Sequence, residues 1–330
     1  IDTINEAAPA TETEGPAMPA SATASSTASQ AAAPVYGVRF DLKGTLGKAR
    51  IEGEGKAGPV LSLRNKEVNY PLQFTARAGS LETAVTDLEH YRSSGSAVLV
   101  LCADNGVVAQ GVSQTDQSVT RTVAENLAAR RTSVCQMAKT ARCEVVPVDL
   151  GMAGEPVPGV QNCRIAAGTA DFTTGPAMTR QQAVDAIAAG IGLVRAQKAA
   201  GVQLLATGEM GIGNTTTSSA VAAVLLGQPV ERMTGRGAGL SDAGLARKLD
   251  AIRRGIARNR PDAADPLDVL SKLGGFDIAG LCGVFLGGAL EGVPVVMDGF
   301  ISGVAALCAV RLCPAAAKAV FASHCSSEPA

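Results

Sequence analysis

Seven consecutive apolar residues, Ala97-Val98-Leu99-Val100-Leu101-Cys102-Ala103, constrain this chain more than any other stretch. A strand with one face in water alternates polar and apolar side chains. A run with no polar position is instead covered on both faces, as in a parallel sheet between helix layers. The run ends in the polar turn Asp104-Asn105-Gly106, and the arrangement recurs. Glu144 to Leu150 closes on Asp149 and Gly151, Val202 to Ala206 runs into a glycine loop holding Glu209, and Val293 to Met297 ends at Asp298-Gly299-Phe300. Pro147 has no amide to give to a ladder and moves its strand toward a sheet edge. Helical spacing fills the intervals, over one long stretch from Asp116 to Ala141 and over Arg180 to about Ala200. The second is capped by Thr179, with Val184, Ile187, Ala188 and Ile191 inward. Strands alternating with helices predict an α/β fold with a parallel sheet and right-handed crossovers. Ligands bind such sheets beyond the carboxyl ends of the strands, where Asp104, Asp149, Glu209 and Asp298 all fall.

Before this pattern the chain reads differently. Residues 1–36 are mostly Ala, Thr, Ser and Pro with only Asp2, Glu6, Glu12 and Glu14 charged, and are expected to be a disordered linker. Residues 37–75 carry short alternating runs, Val38-Arg39-Phe40-Asp41-Leu42 and Val60-Leu61-Ser62-Leu63, between glycine-rich turns, the pattern of an irregular or β-hairpin segment. Ser80 opens a stretch with Leu81, Ala84, Val85, Leu88 and Tyr91 at helical spacing, and His90 beside that face reads as a surface residue.

Composition excludes several functions. With 29 basic against 30 acidic residues, 3% aromatics and no Trp, the chain lacks a nucleic-acid surface or stacking platform. The longest apolar candidate for a membrane span, Ile278 to Leu290, is short and broken by glycines. Eight cysteines without a CxxC pair, and only His90 and His324, argue against a metal site and for a reducing cytoplasm.

The chemistry concentrates in Thr207-Gly208-Glu209-Met210-Gly211-Ile212-Gly213-Asn214-Thr215-Thr216. A buried strand, a glycine loop with one carboxylate and a helix starting near Asn214 make an anion site, because a helix start presents unpaired N–H groups and glycines admit a phosphate. The dipole contributes only about 0.3–1 kcal/mol, so other contacts must converge. No lysine stands where a P-loop needs one, Thr216 stands where a dinucleotide loop has its third glycine, and there is no GxSxG. Glu209, Arg236 within Gly235 to Gly239, and Lys248 one helix further on suit a substrate with a phosphate and a group that a carboxylate can hydrogen-bond or deprotonate. Each has a plainer reading: Lys248 as a solvated lysine, Asp298 as a helix cap, Ser326 as part of an unordered tail.

The loop Gly208 to Thr216 closely resembles the signature of the nicotinate-nucleotide dimethylbenzimidazole phosphoribosyltransferases. So do Ala103-Asp104-Asn105-Gly106-Val107, Gly111-Val112-Ser113, Gly168-Thr169-Ala170-Asp171, Gly235-Arg236-Gly237 through Lys248, Gly274-Gly275-Phe276, Asp298 to Ser302, and Ala322-Ser323-His324 through Pro329. The resemblance implies a Rossmann-like parallel sheet (about 93–300) flanked by helices. It adds a small helical part built from both ends of the domain (about 76–92 with 301–330), and a homodimer. It implies transfer of 5-phosphoribosyl from nicotinate mononucleotide to 5,6-dimethylbenzimidazole in cobalamin biosynthesis, with no cofactor. By similarity Gly208, Gly211, Gly213, Asn214, Thr215, Gly237, Lys248 and Ser326 hold phosphate and nucleotide. Asp298 and Gly299 lie near the nucleotide, Glu209 at the reacting centre, and Ser113 and Gln117 on the benzimidazole side.

Departures from the family pattern qualify this. The family's general-base glutamate is expected beyond Ala330, so these residues alone are expected to bind better than they turn over. A non-catalytic nucleotide- or ribazole-binding module is the alternative. Asn105 and Asp116 replace the family's His and Pro, and the N-terminal segment suggests an upstream fused domain.

Overall fold

A computed structural model of the chain describes residues 38–46, 49–57, 72–78, 81–86, 95–326 and 328, in two units that divide after Arg92. The first unit is a four-stranded antiparallel sheet in sequence order, β1 (Val38–Leu46), β2 (Ala49–Ala57), β3 (Leu72–Ala78) and β4 (Leu81–Thr86). Along β1 the polar Arg39, Asp41 and Lys43 are exposed, as the alternation predicts. The helix expected from Ser80 is not formed. Leu81 to Thr86 pairs with β3 from Ala78 to Gln73. The stretch holds β-branched Thr83, Val85 and Thr86, so the period-two ladder overrides the helical spacing. The linker expected over 1–36, the run Val60 to Leu63 and His90 lie outside the described residues.

The second unit is built on a six-stranded sheet in which every pairing is parallel. Its strands are β5 (Ser96–Ala103), β6 (Glu144–Gly151), β7 (Gln161–Asn162), β8 (Leu204–Met210), β9 (Val295–Met297) and β10 (Val320–Ala322). The order is β10-β9-β8-β5-β6-β7. The chain winds outward from β5 to β7 and then returns to the other side for β8, so the winding reverses between β5 and β8. That is where a crevice opens in such a sheet. The outer side of β6 is paired only at Val148 and Asp149, so the amide missing at Pro147 leaves no gap in the ladder. Val320 to Ala322 lies in the segment expected to be helical; it extends the sheet as β10 beside β9.

The helices follow the sequence with two corrections. The single stretch from Asp116 to Ala141 is two helices, α1 (Ser118–Ala128) and α2 (Ser133–Ala141), because Thr132 caps a new start by accepting the Cys135 amide at 3.4 Å. α3 (Arg180–Ala199) has the Thr179–Gln182 capping box, but Val184 and Ala188 are exposed. Its buried face is Ala183, Ala186, Gly190, Leu193 and Val194. That face meets α7 (Phe276–Glu291) at backbone distance: a Cβ on Gly190 would lie 2.1 Å from the Gly280 carbonyl, and one on Gly283 2.0 Å from that of Ile187. Small residues are inward because the backbones touch. α4 (Asn214–Leu226) is buried along most of its length among other helices, with α5 (Asp242–Asn259), α6 (Pro266–Leu273) and α8 (Phe300–Leu312) around it.

Candidate functional site

The glycine stretch is less of a loop than its composition suggests. β8 runs through Gly208 and Glu209 to Met210, so the carboxylate stands on the strand end and only Gly211 to Gly213 turn the chain. Gly213 takes φ +92° as the cap of α4, a conformation glycine adopts without penalty. Gly211 is needed for space: a Cβ there would sit 2.5 Å from Asp277 Oδ2 and 2.7 Å from the Ala103 carbonyl. The tight turn brings Asn214 back over the strand end, where its Nδ2 donates both to Glu209 and, at 3.0 Å, to Asp277.

The four acids predicted for the carboxyl edge divide into two roles. Asp149 is buried and takes two donors of Arg164, Nη2 at 2.7 Å and Nε at 3.0 Å, while its other oxygen accepts the Met152 amide. Asp104 is buried and accepts the Ala153 amide at 2.8 Å, and burial raises its pKa. These two tie the loop after β6 to the sheet. Glu209 and Asp298 face a cleft of ≈ 190 Å³, lined also by Thr215, Gly299, Ser302, Ser326 and Glu328. Glu209 has its pKa pushed up to about 7, by burial first and then by the charges of Asp277 and Asp298, against the opposing Asn214 hydrogen bond. Asp298 caps nothing: the cap of α8 is Gly299, without a side-chain bond. The Asp298 amide instead donates to Thr207 Oγ1 at 3.2 Å, and that oxygen lies 3.0 Å from Ser302 Oγ.

Lys248 is not a surface lysine. It is fully buried in α5, where Nζ donates to Thr215 Oγ1 at 2.9 Å and to the Gly235 carbonyl at 3.0 Å. Burial lowers its pKa to about 8, with Glu328 opposing. Glu328 accepts the Gly237 amide at 3.0 Å, and its own amide donates to Ser326 Oγ at 3.2 Å. Thr215 and Ser326, far apart in sequence, therefore line the cleft together with Glu328, while Lys248, held on Thr215, and Gly237, held on Glu328, stand behind that lining.

Other expected site residues lie elsewhere. Gly208 packs on Val100 within the sheet, and Gly211, Gly213 and Asn214 form the wall behind Glu209 rather than the cleft lining. Ser113 and Gln117 belong to the segment after β5, where Gln117 Nε2 donates to the Asn105 carbonyl at 3.0 Å and Ser113 Oγ accepts the Thr115 amide. They too are outside the lining. Cys102, at the end of β5, has its thiol pKa driven far up by burial and the acids around it, which rules out a nucleophilic thiolate there. Sequence reasoning missed Asp277 as a site residue. The available signal was a lone acid opening the apolar run Phe276 to Leu290.

Comparison with known proteins bears on this site. The family model described as "Phosphoribosyltransferase" matches residues 78–330, which takes in all of the second unit. The nicotinate-nucleotide–dimethylbenzimidazole phosphoribosyltransferase of Acetivibrio thermocellus is 49% identical over 234 residues, 71% of this chain and 67% of that protein. The chain belongs to this phosphoribosyltransferase family. The enzyme of the same name from Ruminiclostridium cellulolyticum is 48% identical over 70% of this chain and 66% of its own length. The chain thus spans about two-thirds of the length of these curated relatives. The crystal structure of CobT from Thermus thermophilus superposes with a TM-score of 0.68 at 42% identity, covering 71% of each chain. The parallel sheet flanked by helices is the fold shared with that family member. No helix among the described residues is long and apolar enough to cross a membrane.

Proposed function

We propose that the cleft at Glu209 transfers the 5-phosphoribosyl group of nicotinate mononucleotide to 5,6-dimethylbenzimidazole. The observation that carries this is the cluster of Thr215 and Ser326 on the cleft wall with Lys248 and Gly237 behind them, gathered about Glu328, and the carboxylates Glu209 and Asp298 on the same cleft. The first set suits the 5'-phosphate. The Lys248 ammonium, held on Thr215, contributes charge, and Gly237 offers an amide once Glu328 moves off it. The second set suits the ribose and the reacting centre. In the transfer the bond from C1' to the pyridinium nitrogen breaks, and its electron pair leaves with nicotinate. A new bond forms from C1' to a benzimidazole nitrogen, and the ring's N–H proton is released. Positive charge grows on the ribose meanwhile, and Glu209 and Asp298 offer negative charge where it develops. A glutamate whose pKa is about 7 also changes charge near neutrality, as proton transfer at that centre requires. Ser113 and Gln117 form the benzimidazole side of this reading.

The reading extends to a homodimer in a reducing cytoplasm. All eight cysteines are free thiols, and the exposed Val184, Leu226 and Leu290 offer apolar surface for a partner copy. An upstream fused domain ahead of the matched region is part of the same proposal.

The test pairs titration calorimetry of nicotinate mononucleotide with chromatography of nicotinate and α-ribazole 5'-phosphate. It is run on these 330 residues and on a chain extended past Ala330. Saturable nucleotide binding by both, and product from the extended chain at least, are expected. A chain that binds no nucleotide, or an extended chain that binds it and releases no nicotinate, refutes the assignment.

A further inference from the structure

Behind the cleft stands a second carboxylate that the transfer reading leaves without a part. Asp277 is 0% exposed in the first turn of α7. Its Oδ1 accepts the Ile278 amide at 3.0 Å, and its Oδ2 accepts Asn214 Nδ2, also at 3.0 Å. That same nitrogen donates to Glu209. A primary amide carries two N–H groups, so Asn214 gives one to each carboxylate. The reverse orientation would put its oxygen against two acids, and the pair therefore admits only one. Room for Asp277 is made by two glycines: a Cβ on Gly275 would lie 2.3 Å from Oδ1, and one on Gly211 2.5 Å from Oδ2. Burying a carboxylate beside another is costly unless both are hydrogen-bonded, yet the turn, the helix start and both glycines accommodate it.

We propose that Asp277 is a positioning residue that acts on the cleft through Asn214, fixing the direction of the Glu209 carboxylate and setting a second buried acid against it. The groups facing Glu209 are Asn214 from α4, Asp277 from α7, Asp298 after β9 and the neutral Cys102 thiol from β5. Those facing Asp277 are Glu209, Asn214, Cys102 and Asn105. No cation is among them, so only hydrogen bonds, that of the shared Asn214 foremost, offset the repulsion between the two acids. Burial pushes Asp277 up to about 6 and Glu209 to about 7, with the Asp277 charge the second cause for Glu209. The consequence is that Glu209 stays protonated, and aimed, until close to neutral pH. Its part at a reacting centre rests on the transfer reading above; the coupling of the two acids does not.

The test is a titration of the Glu209 carboxyl carbon by NMR on the full chain, assigned with Glu209→Gln. The wild-type midpoint is expected near 7. Asp277→Asn keeps the shape and one of the two acceptor oxygens but removes the charge, so the midpoint falls by roughly one pH unit, about tenfold in proton affinity. Asp277→Glu, which restores the charge, returns it toward the wild-type value. A midpoint unmoved in Asp277→Asn overturns the proposal. Should that variant not fold, Asn214→Ser takes its place: both charges stay, the shared donor is lost and the midpoint rises, and an unmoved midpoint again overturns it. Moved midpoints in a protein that neither binds nor transfers the nucleotide would leave the coupling standing and sink the function. Nucleotide transfer with unmoved midpoints would do the opposite.

Discussion

Replacing Glu209 by Gln is expected to make the protein more stable and less functional, and the gain in stability has a definite pH dependence. The folded chain holds the Glu209 carboxyl at about 7 against an ordinary value of 4.5. At about 1.4 kcal/mol per pH unit, this corresponds to roughly 3 kcal/mol. The cleft is open to water, which screens part of it, so about 1–3 kcal/mol is expected. The sign follows from proton binding. Between 4.5 and about 7 the folded state holds a proton that the unfolded chain has released. Glu209 therefore favours the fold at low pH, and that contribution is lost as pH rises through 7. Gln does not titrate and keeps the same size. The stability of Glu209→Gln relative to wild type should then rise between pH 5 and pH 8 by about 1–3 kcal/mol. Urea unfolding followed by helical circular dichroism reads the right unit, since all the described α-helices fall between Ser118 and Leu312. An equal difference at both pH values, or a relative loss at pH 8, would refute the claim that Glu209 is ionised against its surroundings. On the transfer reading the same variant should also lose phosphoribosyl transfer, because the charge set against the ribose in that reading is gone.

Two further outcomes follow from the packing around the cleft. Lys248→Met should weaken binding of inorganic phosphate by about tenfold or more. In the wild type that affinity should fall as pH passes through about 8, where the buried ammonium loses its proton, whereas in the variant this step near 8 is absent; calorimetry across pH 7 to 9 decides it. Gly283→Ala puts a Cβ 2.0 Å from the Ile187 carbonyl and must push α3 from α7, costing roughly 1–3 kcal/mol; an unchanged Tm would show that the two helices do not depend on this contact.

Much of the second unit was legible in the chain because its signals are local. Continuous apolar runs require a sheet covered on both faces, and Thr179 ahead of an apolar-periodic stretch marks a helix start. Where two local signals competed, the outcome depended on partners. Leu81 to Thr86 has helical spacing and β-branched residues together, and pairing with β3 settled it as strand. On α3 the aliphatic Val184 turned outward and Gly190 inward, since close approach of α7 favours the absence of a side chain over a large apolar one, and nothing within Arg180 to Ala199 announces α7.

The site divides in the same way. From the sequence alone come the acids at the ends of four strands, the glycine turn into a helix and the family signature, because these depend on residue type and spacing along a single element. Only the tertiary structure decides what each acid does. Asp149 has Arg164 within reach and Asp104 a backbone amide, so both serve as ties, while Glu209 and Asp298 face the cleft. It also decides that Lys248, set in an Arg-rich helix that looks solvated, is buried on Thr215, and that Asp277, 63 positions along the chain from Asn214, shares that residue's amide with Glu209. The physical reason is that a titratable group's charge, direction and proton affinity depend on what lies within a few ångströms of it. In a parallel sheet those neighbours come from strands and helices distant in the chain.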